Sequence, residues 1–274
     1  MNVLNRFVSP LLLLFFLLTA CEPVQSPTIN TTENFDDYTS AMAADAQVVD
    51  HFPAWLPSAA EDIYLTYAQD SSALLLSFRA STSSFSPPTQ CQDTTIRASH
   101  ALNAKWWTDS YYDDPATAFF RCGSDSWLAI NGSRIWYWQG IKQIDVRALA
   151  RHPKDYQDVC GQLVMVTGFL DYANIFDSRL GERDNSFALV PDIRKIGINA
   201  VFIYPPSSEK TFDLLDELHA LVDRCEPTDR PVLFAATGIL SSFEMPTNFT
   251  TSLGYNLQLL DVNDVQILKD CESD

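Results

Sequence analysis

The apolar positions of this chain repeat with different periods in different segments. Ile63, Leu65 and Tyr67 alternate with Tyr64 and Thr66, and Leu74, Leu76 and Phe78 alternate with Leu75 and Ser77. A period of two on either side of the polar run Gln69-Asp70-Ser71-Ser72 predicts two adjacent strands and their turn. Beyond Pro87-Pro88, Ile96, Leu102 and Trp106 form a partial stripe that predicts a helix over 95–107. Three short strands follow over 118–122, 127–131 and 134–139, with Asn131-Gly132 as the turn pair of a tight hairpin between the last two. The order β-β-α-β-β-β predicts a first domain, residues 51–140, built as an antiparallel sheet with one helix.

A short helix follows, with Asp145 as its N-cap and Pro153 beyond its end. It predicts a linker over 141–155. The second domain, 156–274, reads as strands over 162–170, 187–191 and 200–204, a helix over 212–224, and strands over 232–237 and 255–268. In that helix Phe212, Leu214, Leu215, Leu218, Leu221 and Val222 form one apolar face, opposite Asp213, Asp216, Glu217 and Asp223. A Gly closes both Val164-Met165-Val166-Thr167-Gly168 and Leu233-Phe234-Ala235-Ala236-Thr237-Gly238. This order and these two Thr-Gly strand ends resemble the OB-fold, a five-stranded barrel with its helix between strands three and four. The expected fold class is therefore α+β to mainly β, an antiparallel sheet followed by an OB-like barrel; an open α+β sheet is the alternative. The resemblance implies a ligand face on strands two and three and on the loops 171–186 and 240–254. The first loop offers Tyr172, Phe176, Arg179 and Arg183, and the second Phe243 and Phe249.

The N-terminus follows another pattern. One cation, Arg6, precedes the apolar run Leu11–Leu18, and the small pair Thr19-Ala20 precedes Cys21. This is the order of a secretory signal, and the run is shorter than the roughly 20 residues a membrane span needs. Leu18-Thr19-Ala20-Cys21 resembles the lipobox of bacterial lipoproteins. The resemblance implies cleavage after Ala20 and a thioether-linked diacylglycerol on Cys21, whose acyl chains would anchor the product durably. In the lipoprotein family an Asp after the cysteine favours retention in the inner membrane, so with Glu22 there the resemblance implies the outer membrane facing the periplasm. Residues 21–50, rich in Ser, Thr, Asn, Asp and Glu, read as an acidic flexible tether.

The charge balance is 18 Lys and Arg against 35 Asp and Glu, a net −17, or −18 once Arg6 leaves with the signal. Such a surface repels phosphate backbones, so nucleic-acid binding has no electrostatic support. With Cys21 lipidated, five cysteines remain. Cys91 and Cys122 share the first domain and form the natural pair in an oxidising compartment. For the others, the barrel resemblance implies a Cys225–Cys271 bridge, because the helix end and the end of strand five share one end of the barrel; Cys160 is left reduced.

His51, His100, His152 and His219 lack metal-ligand spacing, and no nucleophile elbow, phosphate-cradling loop, dinucleotide fingerprint or Cys-x-x-Cys is present. No metal, cofactor or catalytic residue is therefore assigned. Trp106, Trp107, Tyr111, Tyr112, Trp127, Trp136, Tyr137 and Trp138 crowd one stretch. They are either core rings or an exposed platform for a glycan, a peptide or a protein partner. The expectation for function is a lipid-anchored envelope protein that binds a protein or glycan without catalysis. An envelope hydrolase with an unseen site and an immunity-type inhibitor are the alternatives.

Overall fold

The computed structural model describes residues 30–81, 83–181, 184–192, 200–228, 230–246 and 251–272. The signal segment, the lipobox and Cys21 lie outside them. The fold is mainly β, as expected, with its described strands in two sheets. The first contains β1 (Asn30–Asp37), β2 (Glu61–Ala68), β3 (Leu74–Arg79), β4 (Gln92–Asp93), β5 (Ala118–Arg121), β6 (Ser126–Asn131) and β7 (Arg134–Gln139). Their spatial order is β1-β2-β3-β7-β6-β5-β4, antiparallel throughout.

The alternation read in the sequence sends side chains to both faces of this sheet, and both faces are buried. Ile63, Leu65, Leu76, Phe78, Ile135 and Tyr137 fill one core. Leu75, Trp127, Ala129 and Trp138 fill the other. The first core is covered by α1 (Tyr38–Met42) and α2 (Ala46–Val49), which contribute Ala41 and Val48. Reading 21–50 as one flexible tether is thereby corrected, because β1, α1 and α2 occupy 30–49. No apolar alternation marks this strand, because it is a polar edge whose backbone is satisfied by β2, from Asn30↔Ala68 to Asp37↔Glu61. Two local signals were legible: Asp37 and Ser40 form a capping box, and Asp45 caps α2.

The second core is covered by residues 94–116, which contain no α-helix where one was expected over 95–107. Leu163 N donates to Arg97 O at 2.8 Å, and Ser99 N donates to Leu163 O at 3.1 Å. A backbone paired with a distant strand in this way cannot also make i→i−4 helical bonds. The Ser99 hydroxyl adds a bond to Leu163 O at 2.8 Å, so this segment also joins the two sheets. The β6–β7 hairpin is as expected, but its turn is Gly132-Ser133. Asn131 pairs with Arg134, and Gly132 takes a φ of +57°.

The second sheet contains β8 (Gln143–Asp145), β9 (Leu163–Phe176), β10 (Ser186–Val190), β11 (Val201–Tyr204), β12 (Leu233–Pro246), β13 (Thr251–Leu259) and β14 (Val265–Lys269). Helix α3 (Val146–Arg151) follows β8, and α4 (Glu209–Cys225) lies between β11 and β12. Strand β9 pairs with both β10 and β12, β10 with β11, β11 in parallel with β13, and β13 with β12. These contacts close the five-stranded ring β9-β10-β11-β13-β12, with the helix between the third and fourth strands, in the order of an OB-fold. Leu215, Leu218, Leu221, Val222 and Cys225 bury the apolar face of α4 in the barrel core.

Two details differ from expectation. The strand read over 255–268 is broken by a bend and a 3-10 turn at Val262–Asp264. Its second part, β14, continues along the same edge of β12. Gly168 and Gly238 lie inside the 14-residue strands β9 and β12 and do not end them. Both are needed for close approach. A Cβ on Gly168 would sit 2.7 Å from Val146 Cγ2, and one on Gly238 would sit 2.5 Å from the Gln258 carbonyl oxygen. Among the described residues, no helix is long and apolar enough to cross a membrane.

Candidate site at the end of the barrel

Because β9 carries Gly168 where α3 begins, the helix packs directly on the barrel, with Val146 and Leu149 fully enclosed. Asp145 caps it by accepting from Arg147 N at 2.6 Å, and Arg147 Nε donates to Pro191 O at 3.0 Å. Pro153 then turns the chain into a 3-10 segment, Pro153–Val159. The Tyr255 hydroxyl donates to the Pro153 carbonyl and fastens this segment to β13. Burial, followed by nearby Cys160 and Asp158, pushes the Tyr255 phenol up to about 12, so it stays a neutral donor.

Between this α3 segment and the barrel lies a cavity of about 440 Å³. Leu149, Ala150 and Pro153 form one wall; Ala200, Val201 and Leu253 form the other. Lys154, Gln157, Glu244 and Ser252 supply the polar groups. Lys154 and Glu244 are both exposed, and neither makes an ion pair or side-chain hydrogen bond with another described residue. The Ser252 hydroxyl is buried without a partner among the described residues. Phe243 lies across Gly254, its ring occupying the space a side chain there would need. A recess that combines apolar side chains with several polar groups has the make-up of a small-molecule site. The loop 240–254, expected at the ligand face, supplies Glu244, Ser252, Leu253 and Gly254 to the lining, but none of these was named from the sequence as a ligand contact. Gly168 is visible in the sequence, but that it admits α3 against the barrel is visible only in the structure.

The residues expected to bind are not gathered on one surface. Trp127 and Trp138 are 1% exposed and Trp107 is 8% exposed, all in the second core of the first sheet. Trp106 and Trp136 pack partly buried against the same core, Trp106 donating to Thr66 Oγ1 at 2.9 Å. The crowded aromatics are therefore core rings. Tyr111 lies between Tyr112 and Trp136, with ring centroids 4.5 and 4.6 Å away.

Both loops expected at the ligand face are shorter than read, because β9 runs to Phe176 and β12 to Pro246. Phe176 thus ends a strand, and the Tyr172 hydroxyl donates to Arg230 O at 2.7 Å. Arg179 clamps the first loop to α4. Its guanidinium pairs with Asp177 and with Asp216, each at 2.7 Å, and lies over the Phe212 ring at 4.4 Å. Arg183 and Phe249 lie outside the described residues.

Both disulfides are formed as expected, Cys91–Cys122 and Cys225–Cys271, with Cys160 free and partly buried. Cys225, Asp270 and Cys271 bring ligating atoms within 4.8 Å of one another, but both thiols are consumed in the bridge. His100 makes the most enzyme-like contact, its Nε2 lying 3.1 Å from Asp109 Oδ1. Its Nδ1 faces Leu102 O at 2.5 Å, and the same carboxylate oxygen accepts from the Trp107 indole at 2.9 Å. Burial works against this carboxylate, but the His100 bond and charge and the Trp107 bond hold it below its ordinary value. The group straps the 94–116 segment to the aromatic core.

Comparison of the chain with protein-family models, curated proteins and solved structures finds no match.

Proposed function

We propose that this chain is a lipid-anchored protein of the bacterial cell envelope that binds its ligand without catalysis and presents the barrel end as its binding surface. The observation that carries the reading is the pair of disulfides, one in each half of the fold, behind an N-terminus that resembles a lipoprotein signal. Disulfides of this kind persist in oxidising compartments such as the periplasm and are rare in the cytosol. The cavity between α3 and the barrel brings polar groups and apolar side chains to one recess.

The short connection limits where such a protein works. Eight residues, 22–29, separate Cys21 from β1, a stretch that spans at most about 28 Å when fully extended. The folded body therefore stays close to the bilayer that holds the anchor, and its partner is membrane-proximal. Growth of cells expressing the protein with an alkyne analogue of palmitate tests the anchor. The wild type takes up the label and sediments with membranes, whereas Cys21→Ala loses both. An unlabelled wild type, or a Cys21→Ala variant that remains labelled, overturns the reading.

A further inference from the structure

The cavity at the barrel end carries two opposite charges that have no partner among the described residues. Lys154, just after α3, and Glu244, near the end of β12, line the same space without pairing with each other or with another described charge. Leu149, Pro153, Val201 and Leu253 add apolar surface to the same lining. The nature of the ligand follows from elimination. A small anion is repelled by Glu244 and by the field of a chain with net charge −17, and a small cation is repelled by Lys154. A neutral sugar can hydrogen-bond to both groups through its hydroxyls, but it leaves both charges uncompensated. A ligand bearing both an ammonium and a carboxylate satisfies both groups with charge-assisted hydrogen bonds and carries no net charge against the acidic surface. The space, about 440 Å³, lies in the range of small-ligand pockets and suits a molecule of a few residues.

We infer that this cavity binds a short zwitterionic peptide, its carboxylate at Lys154 and its ammonium at Glu244, with apolar side chains against Leu149, Val201 and Leu253. The inference rests on the binding role proposed above and names the ligand class of that same site. The buried Ser252 hydroxyl, without a described partner, offers a further hydrogen bond to the ligand backbone.

Titration calorimetry of the full chain in detergent, with tri-alanine as the probe, tests this. Tri-alanine binds saturably, and N-acetyl-tri-alanine and tri-alanine amide each bind at least tenfold more weakly. Lys154→Met weakens tri-alanine at least tenfold and leaves the amide's residual affinity unchanged. Glu244→Gln does the same for tri-alanine and leaves the acetylated form unchanged. Both side chains are exposed, so unchanged thermal unfolding of the two variants ties any loss to the ligand. Equal binding of the blocked peptides, indifference to either substitution, or no binding of tri-alanine overturns the inference. Failure of the peptide arm with palmitate labelling of Cys21 intact removes the ligand assignment alone; loss of the labelling removes the anchored reading, whatever the peptide does.

Discussion

Gly168→Ala is the sharpest test of how the α3 segment is seated on the barrel. A Cβ at position 168 would lie 2.7 Å from Val146 Cγ2, with Val146 Cβ and Leu189 Cβ both at 3.2 Å. Apolar carbons are most stable about 3.5–4.0 Å apart, so something must move by the better part of an ångström. Val146 cannot do so easily. It is β-branched and wholly buried, and its backbone is held by the Asp145 cap and by β8, which runs in register with β9 through Asp145↔Thr167. Overpacking of this kind costs about 1–3 kcal/mol. With a urea slope of about 2 kcal/mol/M, the midpoint falls by about 0.5–1.5 M.

Val146→Ala removes the methyl groups that would clash. By itself it costs about 2 kcal/mol, from lost apolar burial at about 0.8 kcal/mol per group plus the cavity left behind. The double variant should recover most of the clash, so the two costs are not additive. Urea unfolding followed by far-UV circular dichroism provides the measurement. Tryptophan emission adds a separate report, because Trp55, Trp106, Trp107, Trp127, Trp136 and Trp138 all precede the barrel. A Gly168→Ala variant as stable as the wild type, or a double variant whose loss equals the sum of the singles, refutes the close approach of α3.

Three other outcomes are expected. Trp127 and Trp138 are 1% exposed, so acrylamide should quench little of their emission in the folded protein; strong quenching before unfolding would show the aromatic core to be open. Replacing Cys225 and Cys271 by Ala opens a closure of 46 residues and should cost up to about 4 kcal/mol, with peptide mapping of the non-reduced wild type linking neither residue to Cys160. Arg179 holds the carboxyl of buried Asp177 below its ordinary value of 3.8, so the pair stabilises the fold above that pH and the contribution is lost as pH falls through the lower, folded value. The stability gap between wild type and Asp177→Asn should therefore shrink as pH falls below about 4 in acid-unfolding curves, and a gap that stays constant from pH 7 to pH 2 contradicts this role.

Regular periodicity was legible wherever one side of an element meets a core. Helix α4 and strands β2, β3, β6, β7, β10 and β11 are found within a few residues of where their patterns place them. The pattern failed where an element is held by something other than an apolar stripe. Edge strand β1 shows little apolar alternation because Phe35 is its only large apolar side chain, and its stability comes from the ladder to β2. The 94–116 segment shows a false helical stripe, since Ile96, Leu102 and Trp106 reach one core from an irregular path. The lengths of β9 and β12 were underestimated because Thr-Gly resembles an ending. In a strand bending around a barrel, it also marks the place where a neighbour comes too close for a side chain.

For the candidate site the division is sharper. Leu149 to Gln157, Ala200 and Val201, and Glu244 to Tyr255 are far apart in sequence and share no motif, so nothing short of the closed ring β9-β10-β11-β13-β12 could bring Lys154 and Glu244 to one cavity. Conversely, the aromatic cluster was conspicuous in the sequence, but composition cannot tell a core ring from a binding ring. Tertiary burial made that choice, because both faces of the first sheet are covered. What the chain alone determined was the mainly β class, the amphipathic helix, the Cys91–Cys122 pair within one domain and the order that resembles the barrel, which implied the Cys225–Cys271 bridge. Those follow from local periodicity and connectivity, which are written residue by residue. Which polar groups are left facing a shared space depends on long-range closure, and only the folded structure decides it.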